Sequence, residues 1–236
     1  MRLLLRFVQQ VQKGTQLRAV GKSYFSTVSD LSAPQRDGPK GDTSAWLCGS
    51  SPHIEASVRN FVDVQVDFIN EEEEQAFLKE LDLGLKKKRY EFDHWDDAIH
   101  GFRETERVQW GAACGAVIRR LRAQAFPQGD RLLGPVHILD LDKTGFIKPH
   151  VDSVKFCGTT IAGISLLSDS VMRLVHVEEK TDWVDLFLPQ RSLYVLRDEA
   201  RYKFTHEILK DAESFFAGQR IPRHRRISVI CRNLPE

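Results

Sequence analysis

The hydrophobic period changes from helical to strand type after Ala125, and that change narrows the fold more than any other feature. Between Asn70 and Ala125 the apolar residues recur at helical intervals; beyond Pro127 and Gly129 they come in short runs of strand type. Ahead of the helical stretch, the alternation Phe61-Val-Asp-Val-Gln-Val-Asp-Phe68 predicts a half-buried strand. Asn70 then caps a helix whose first turn, Glu71 to Glu74, sets four carboxylates at the positive end of the helix dipole. Phe77, Leu78 and Leu81 give it a buried face. A second helix is predicted from Glu104 to Ala125, with Val108, Cys114, Val117, Ile118, Leu121 and Ala125 in register. Six strand-like segments follow: 134–141, 160–167, 171–177, 183–188, 192–196 and 226–232. This is an α+β order, and it predicts a β-sandwich or jelly roll backed by helices on one face.

The first 29 residues contain no Asp or Glu, while Arg2, Arg6, Lys13, Arg18 and Lys22 are interleaved with leucines and valines. That composition predicts a mitochondrial transit peptide over residues 1–26, hence a matrix protein, followed by a disordered Pro/Gly/polar linker over 27–57 and one folded domain over 58–236. No run approaches the roughly 18 apolar residues of a membrane span, so no integral membrane segment is expected. With 34 Lys+Arg against 33 Asp+Glu, no global field draws in polyanions. Cys48, Cys114, Cys157 and Cys231 form no C-x-x-C pair and read as small, semi-buried side chains. A monomer is expected.

His-x-Asp occurs at His94-Trp-Asp96 and at His150-Val-Asp152, and context favours the second. On a strand, residues two apart face the same side, so His150 and Asp152 can supply adjacent corners of a metal octahedron. His206, some fifty residues on, is placed for the third. Two histidines and one carboxylate are the facial triad of non-haem Fe(II) oxygenases. The strand Arg226-Ile-Ser-Val-Ile-Cys-Arg232 puts Arg226, Ser228, Ile230 and Arg232 on one face. Two inward arginines call for an anion, and 2-oxoglutarate fits: its keto-acid end chelates iron and its distal carboxylate pairs with a guanidinium. Tyr194 can add a hydroxyl donor.

His150-x-Asp152, the distal His206 and Arg226-x-Ser228-x-x-x-Arg232 together resemble the AlkB-like Fe(II)/2-oxoglutarate dioxygenases over roughly residues 61–234. The resemblance implies a double-stranded β-helix core of jelly-roll or cupin-like type. It implies Fe(II) on His150, Asp152 and His206, 2-oxoglutarate on Tyr194, Arg226, Ser228 and Arg232, and O2 as the other co-substrate. A mitochondrial branch of the family, which these stretches resemble, implies roles in programmed necrosis and fatty-acid metabolism. Nucleic-acid-repairing relatives carry Asn and Tyr where this chain has Leu139 and Leu141, so Leu139 is a candidate for self-hydroxylation in uncoupled turnover. Lys86 to Arg89, with Tyr90, Phe92 and Trp95, would form any lid, but acidic Glu91, Asp93, Asp96 and Asp97 are mixed into it. The expected substrate is a mitochondrial protein or small molecule. The alternatives are an RNA or DNA N-demethylase and a low-turnover interaction or sensing protein.

Overall fold

The structure is a computed structural model and describes residues 45–92 and 98–235. The expected transit peptide and residues 27–44 of the expected linker lie outside the described residues, as do His94 and Trp95. Folded chain nevertheless starts earlier than residue 58. Strand β1 (Leu47–Gly49) and helix α1 (Pro52–Val58) occupy the end of the expected linker, because Trp46, Leu47, Ile54 and Val58 bury their side chains in the core. Ser51 accepts from Ile54 N to cap α1, and Pro52 fills the first helical position, so what reads as loop punctuation is a helix start.

The other elements are β2 (Val62–Gln65), α2 (Glu71–Leu85), β3 (Ile99–Arg107), α3 (Ala112–Ala125), β4 (Val136–His150), β5 (Thr160–Leu166), β6 (Ser170–His176), β7 (Trp183–Leu188), β8 (Leu193–Arg197), α4 (Asp198–Tyr202), β9 (Phe204–Ile208), the two-residue pair β10 (Phe215–Phe216) and β11 (Gln219–Arg220), and β12 (Arg226–Arg232). Nine strands hydrogen-bond in the order β1-β7-β6-β9-β4-β12-β5-β8-β2, with β3 on the remaining edge of β4, all antiparallel. This curled sheet is the expected jelly roll, with α2 and α3 on one face.

Strand β4 makes the curl. Its first half, Val136 to Leu141, pairs with β3 and β12; its second half, from Ile147, leaves β12 and pairs with β9. At the bend the register of β3 shifts between His100 and Phe102, and Gly101 has φ +60. A Cβ at Gly101 would lie 2.9 Å from Gly145 Cα, so side chains at this crossing would force the strands apart.

The sheet's two faces carry two cores. Ile138, Ile164, Leu166, Val195, Ile227 and Val229 point at the helices and pack on Phe77, Leu81, Val117, Ile118 and Leu121. Leu139, Leu141, Ile161, Tyr194, Leu196 and Ile230 point inward. Each such side chain is worth about 1.5–3 kcal/mol on burial.

Asn70 caps α2 as the sequence predicts, within a full capping box: it accepts from Glu73 N at 2.8 Å, and Glu73 accepts from Asn70 N at 3.1 Å. Asn70→Ala is expected to cost about 1 kcal/mol, read as a lower urea midpoint at unchanged m-value.

The second helix differs from expectation. Residues 104–107 are strand, not helix, and α3 begins only at Ala112. Glu104 to Arg107 pair with Val136 to Leu139, and this ladder overrides the helix propensity of Glu and Arg. Val108, expected within the buried stripe, is 68% exposed. Gly111 supplies no capping side chain; Glu80 of α2 accepts from Gly111 N instead, at 3.0 Å.

Candidate metal centre

Strand β4 ends at His150, and β9 lies antiparallel beside it with His206 directly opposite in register. That cross-strand pair brings the two imidazoles to a centroid separation of 4.3 Å. Asp152 is not on the strand with His150 as the spacing suggested. Pro149 has no N–H for the ladder, the β4–β9 register shifts between Ile147 and His150, and the chain turns out after His150. Asp152 returns from this turn to place Oδ1 3.4 Å from His150 Nε2 and 3.8 Å from His206 Nε2. One ligand atom from each of the three lies within 4.8 Å of the others.

The protonation of the cluster suits a cation. His150 Nδ1 donates to Lys148 O at 3.0 Å, which leaves Nε2 facing Asp152. Burial drives the His206 imidazole down to about 3, His150 adding to the effect, so its ring is neutral and able to ligate. Burial works against charge on Asp152 and on His150 as well. Arg232 and the two histidines nevertheless hold the Asp152 carboxyl well below the usual range, and Asp152 raises His150. A neutral His206 imidazole and an ionised Asp152 carboxylate are ready to ligate, and a divalent metal would take the place of the proton that Asp152 draws onto His150.

The inward face of β12 extends the site. Arg226 is 1% exposed; its Nε donates to Ser165 Oγ at 3.0 Å, while Nη2 is buried with no hydrogen-bond partner. Ser228 Oγ is buried and unpartnered as well. Burial lowers the Arg226 pKa, with the Tyr194 phenol beside it opposing the shift. Such unmet donors inside a barrel fit a carboxylate ligand. Arg232 is placed differently from Arg226. Its Nε donates to Asp152 Oδ2 at 2.6 Å, so its nearest anion is a candidate metal ligand.

Tyr194 on β8 stands opposite Gly163 of β5, and a Cβ built at Gly163 would fall onto the phenol ring. The glycine is what lets Tyr194 lie flat across β5. Gly163→Ala is therefore expected to displace the phenol and to destabilise the fold by about 1–3 kcal/mol through overpacking, read as a lower urea midpoint. Metal affinity, measured by Mn(II) titration, should stay within twofold.

Leu139 and Leu141 point inward opposite Ser228 and Arg226. Glu104 and Glu106 of β3 stand on the same face, opposite Leu139 and His137. The sequence did not single out these two carboxylates; only the β3–β4 register brings them to the site. Tyr90, the first aromatic of the candidate lid, instead donates to Asp140 Oδ1 at 3.2 Å on the helix-covered face. His100 stacks on Phe146.

No family model matches the chain. Curated relatives do. The chain is 56% identical over 191 residues to the bovine (Bos taurus) protein called alpha-ketoglutarate-dependent dioxygenase alkB homolog 7, mitochondrial, covering 81% of this chain and 86% of the relative. The mouse (Mus musculus) protein of that name is 56% identical over 192 residues, covering 81% and 87%. The chain belongs to the AlkB-like alpha-ketoglutarate-dependent dioxygenases. Solved structures agree on the fold of this AlkB-like chain. A Pseudomonas putida prolyl-4-hydroxylase superposes with a TM-score of 0.53 at 16% identity, covering 78% of this chain and all of that one. A Trichoplax adhaerens prolyl hydroxylase in complex with a peptide fragment gives 0.51 at 8%, covering 77% and 87%. The structure of OsALKBH1 gives 0.50 at 11%, covering 72% and 97%. AlkB-like dioxygenases use Fe(II), 2-oxoglutarate and O2, and His150, Asp152 and His206 are a group of this chain that could hold the metal. No helix among the described residues is long and apolar enough to cross a membrane.

Proposed function

We propose that this AlkB-like dioxygenase hydroxylates a C–H bond of a protein in the mitochondrial matrix, a small molecule being the second substrate class. His150, Asp152 and His206 hold Fe(II); Arg226, Tyr194 and Ser228 hold the distal carboxylate of 2-oxoglutarate. Arg232 joins this co-substrate set and also orients Asp152 through its Nε. When bound, iron with 2-oxoglutarate and O2 supplies the oxidising power, releasing succinate and CO2. The residues of the chain fix the geometry, keep Asp152 ionised and shape the opening.

The observation that carries the choice of substrate is the acidic border of the site. Glu104 and Glu106 stand on the inward face of β3, and two carboxylates there repel a phosphate backbone. One face of the Tyr90 ring is covered by the Arg103 guanidinium, 4.4 Å from its centroid, and is not offered for base stacking. The roles in programmed necrosis and fatty-acid metabolism that the resemblance implies belong to the same reading.

Succinate release from 2-oxoglutarate with Fe(II) under air tests the proposal. Wild type is compared with His206→Ala, first without substrate and then with mitochondrial protein extract or with methylated RNA. Stimulation by protein extract is the expected result. Stimulation by methylated RNA alone overturns the substrate assignment, and turnover unaffected by His206→Ala overturns the metal site.

Leu139 is buried at the inner wall, opposite Glu104 and Ser228. With no substrate present it is the C–H donor we assign to uncoupled turnover. Aerobic incubation should add one oxygen to Leu139-containing peptides in wild type, and none in His206→Ala.

A further inference from the structure

We infer that His137 and Glu104 are positioning residues that hold Arg232 against Asp152 and so set how Asp152 presents itself to a metal. The inference rests on the triad being the metal site, as proposed above.

Four side chains from three strands and one turn form a continuous line. Asp152 Oδ2 accepts from Arg232 Nε at 2.6 Å; Arg232 Nη1 lies 3.4 Å from His137 Nδ1; His137 Nε2 lies 2.9 Å from Glu104 Oε2. Only one arrangement of protons satisfies this line. A guanidinium has donors alone, so His137 Nδ1 must accept. The imidazole hydrogen is then on Nε2, where it donates to the Glu104 carboxylate. Glu104 thereby selects the tautomer whose lone pair faces Arg232.

The arrangement has a geometric purpose. Asp152 has two oxygens: Oδ1 faces both candidate ligand imidazoles, and Oδ2 is held by Arg232. A carboxylate with Oδ2 held in this way would offer a metal only Oδ1. A single hydrogen bond leaves a planar guanidinium free to swing about its Nε; a second contact at Nη1 removes that freedom. His137 and Glu104 are on β4 and β3, whose paired backbones fix their spacing. Partners outside the ligands themselves commonly change metal affinity by about 10–100-fold.

The test uses the full chain and cobalt(II) as the probe. In the metal-free wild-type protein, nitrogen-15 NMR of the histidine rings should show His137 protonated at Nε2. In Glu104→Ala the signal should move towards the Nδ1-protonated form or a mixture. His137→Phe should weaken Co(II) affinity about tenfold and alter the visible d–d bands, while His137→Asn, whose amide oxygen can take the place of Nδ1, should recover part of both. His53→Gln, on the exposed side of α1, is the control. Melting curves show whether each variant is folded. An Nδ1-protonated His137 in wild type overturns the inference whatever the metal does. So does a folded His137→Phe with wild-type affinity and bands. Failure of wild type itself to bind Co(II) removes the triad reading instead, and is seen separately from the NMR result.

Discussion

Replacing Arg226 by methionine should abolish turnover of 2-oxoglutarate and at the same time raise the melting temperature of the ligand-free protein. The two effects share one cause. Arg226 is a cation at 1% exposure whose hydrogen bond is to a serine hydroxyl, with Nη2 unmet. Replacing a buried charge that lacks full compensation by an apolar side chain of similar volume often stabilises by about 1–4 kcal/mol. Under the proposed function, a carboxylate ligand relieves this charge. Wild type should gain about 2.7 kcal/mol from 2-oxoglutarate at a hundred times its Kd, and Arg226→Met should gain none. A variant that melts lower without ligand, or that 2-oxoglutarate still stabilises, would show that Arg226 does not serve the co-substrate.

Asp152→Ala is the opposite case: it should remove metal binding and also destabilise the fold by about 3–5 kcal/mol. Burial opposes charge on Arg232, and Asp152 is the carboxylate that sustains it. Without Asp152 a guanidinium with 12% of its side chain exposed loses its ion pair. The double variant Asp152→Ala/Arg232→Met separates the two effects: stability should return while Co(II) binding stays absent. If the double variant is no more stable than Asp152→Ala, the ion pair is not the source of the loss. Chemical denaturation of the metal-free proteins makes the comparison without any contribution from bound ion.

Features set by neighbours in the chain are legible in the amino-acid order alone. The alternation Arg226, Ser228, Ile230, Arg232 can be read because a strand's period is two, and the structure places Ile227, Val229 and Cys231 on the helix side. The Asn70 cap and acidic first turn of α2 needed only their neighbours. What was missed depends on partners far away. Residues 99–107 carry helix-forming Glu and Arg and become strand because β4 offers a ladder. Trp46 and Leu47 follow a Pro/Gly-rich stretch and join the core through β7, some 140 residues on. His206 could be placed as a ligand only by counting strands. His137 showed nothing in its own neighbourhood, although its spacing from Leu139 and Leu141 puts all three on one face. Glu104 gains its place through register alone.

Strand β4 also constrains how the chain can change in length. It carries Leu139 and Leu141 at one end and His150 at the other, and belongs to both halves of the sheet. Because side chains alternate along a strand, and the irregularity between Ile147 and His150 already takes up one extra residue, a further residue gained on the way to His150 would turn the imidazole outward while leaving the pairing with β12 untouched. Two residues would restore its direction but shift it past His206. Insertions that preserve the centre therefore belong before Val136 or after Asp152. Length variants made by saturation insertion should be tolerated in those flanks and lose Co(II) binding between them.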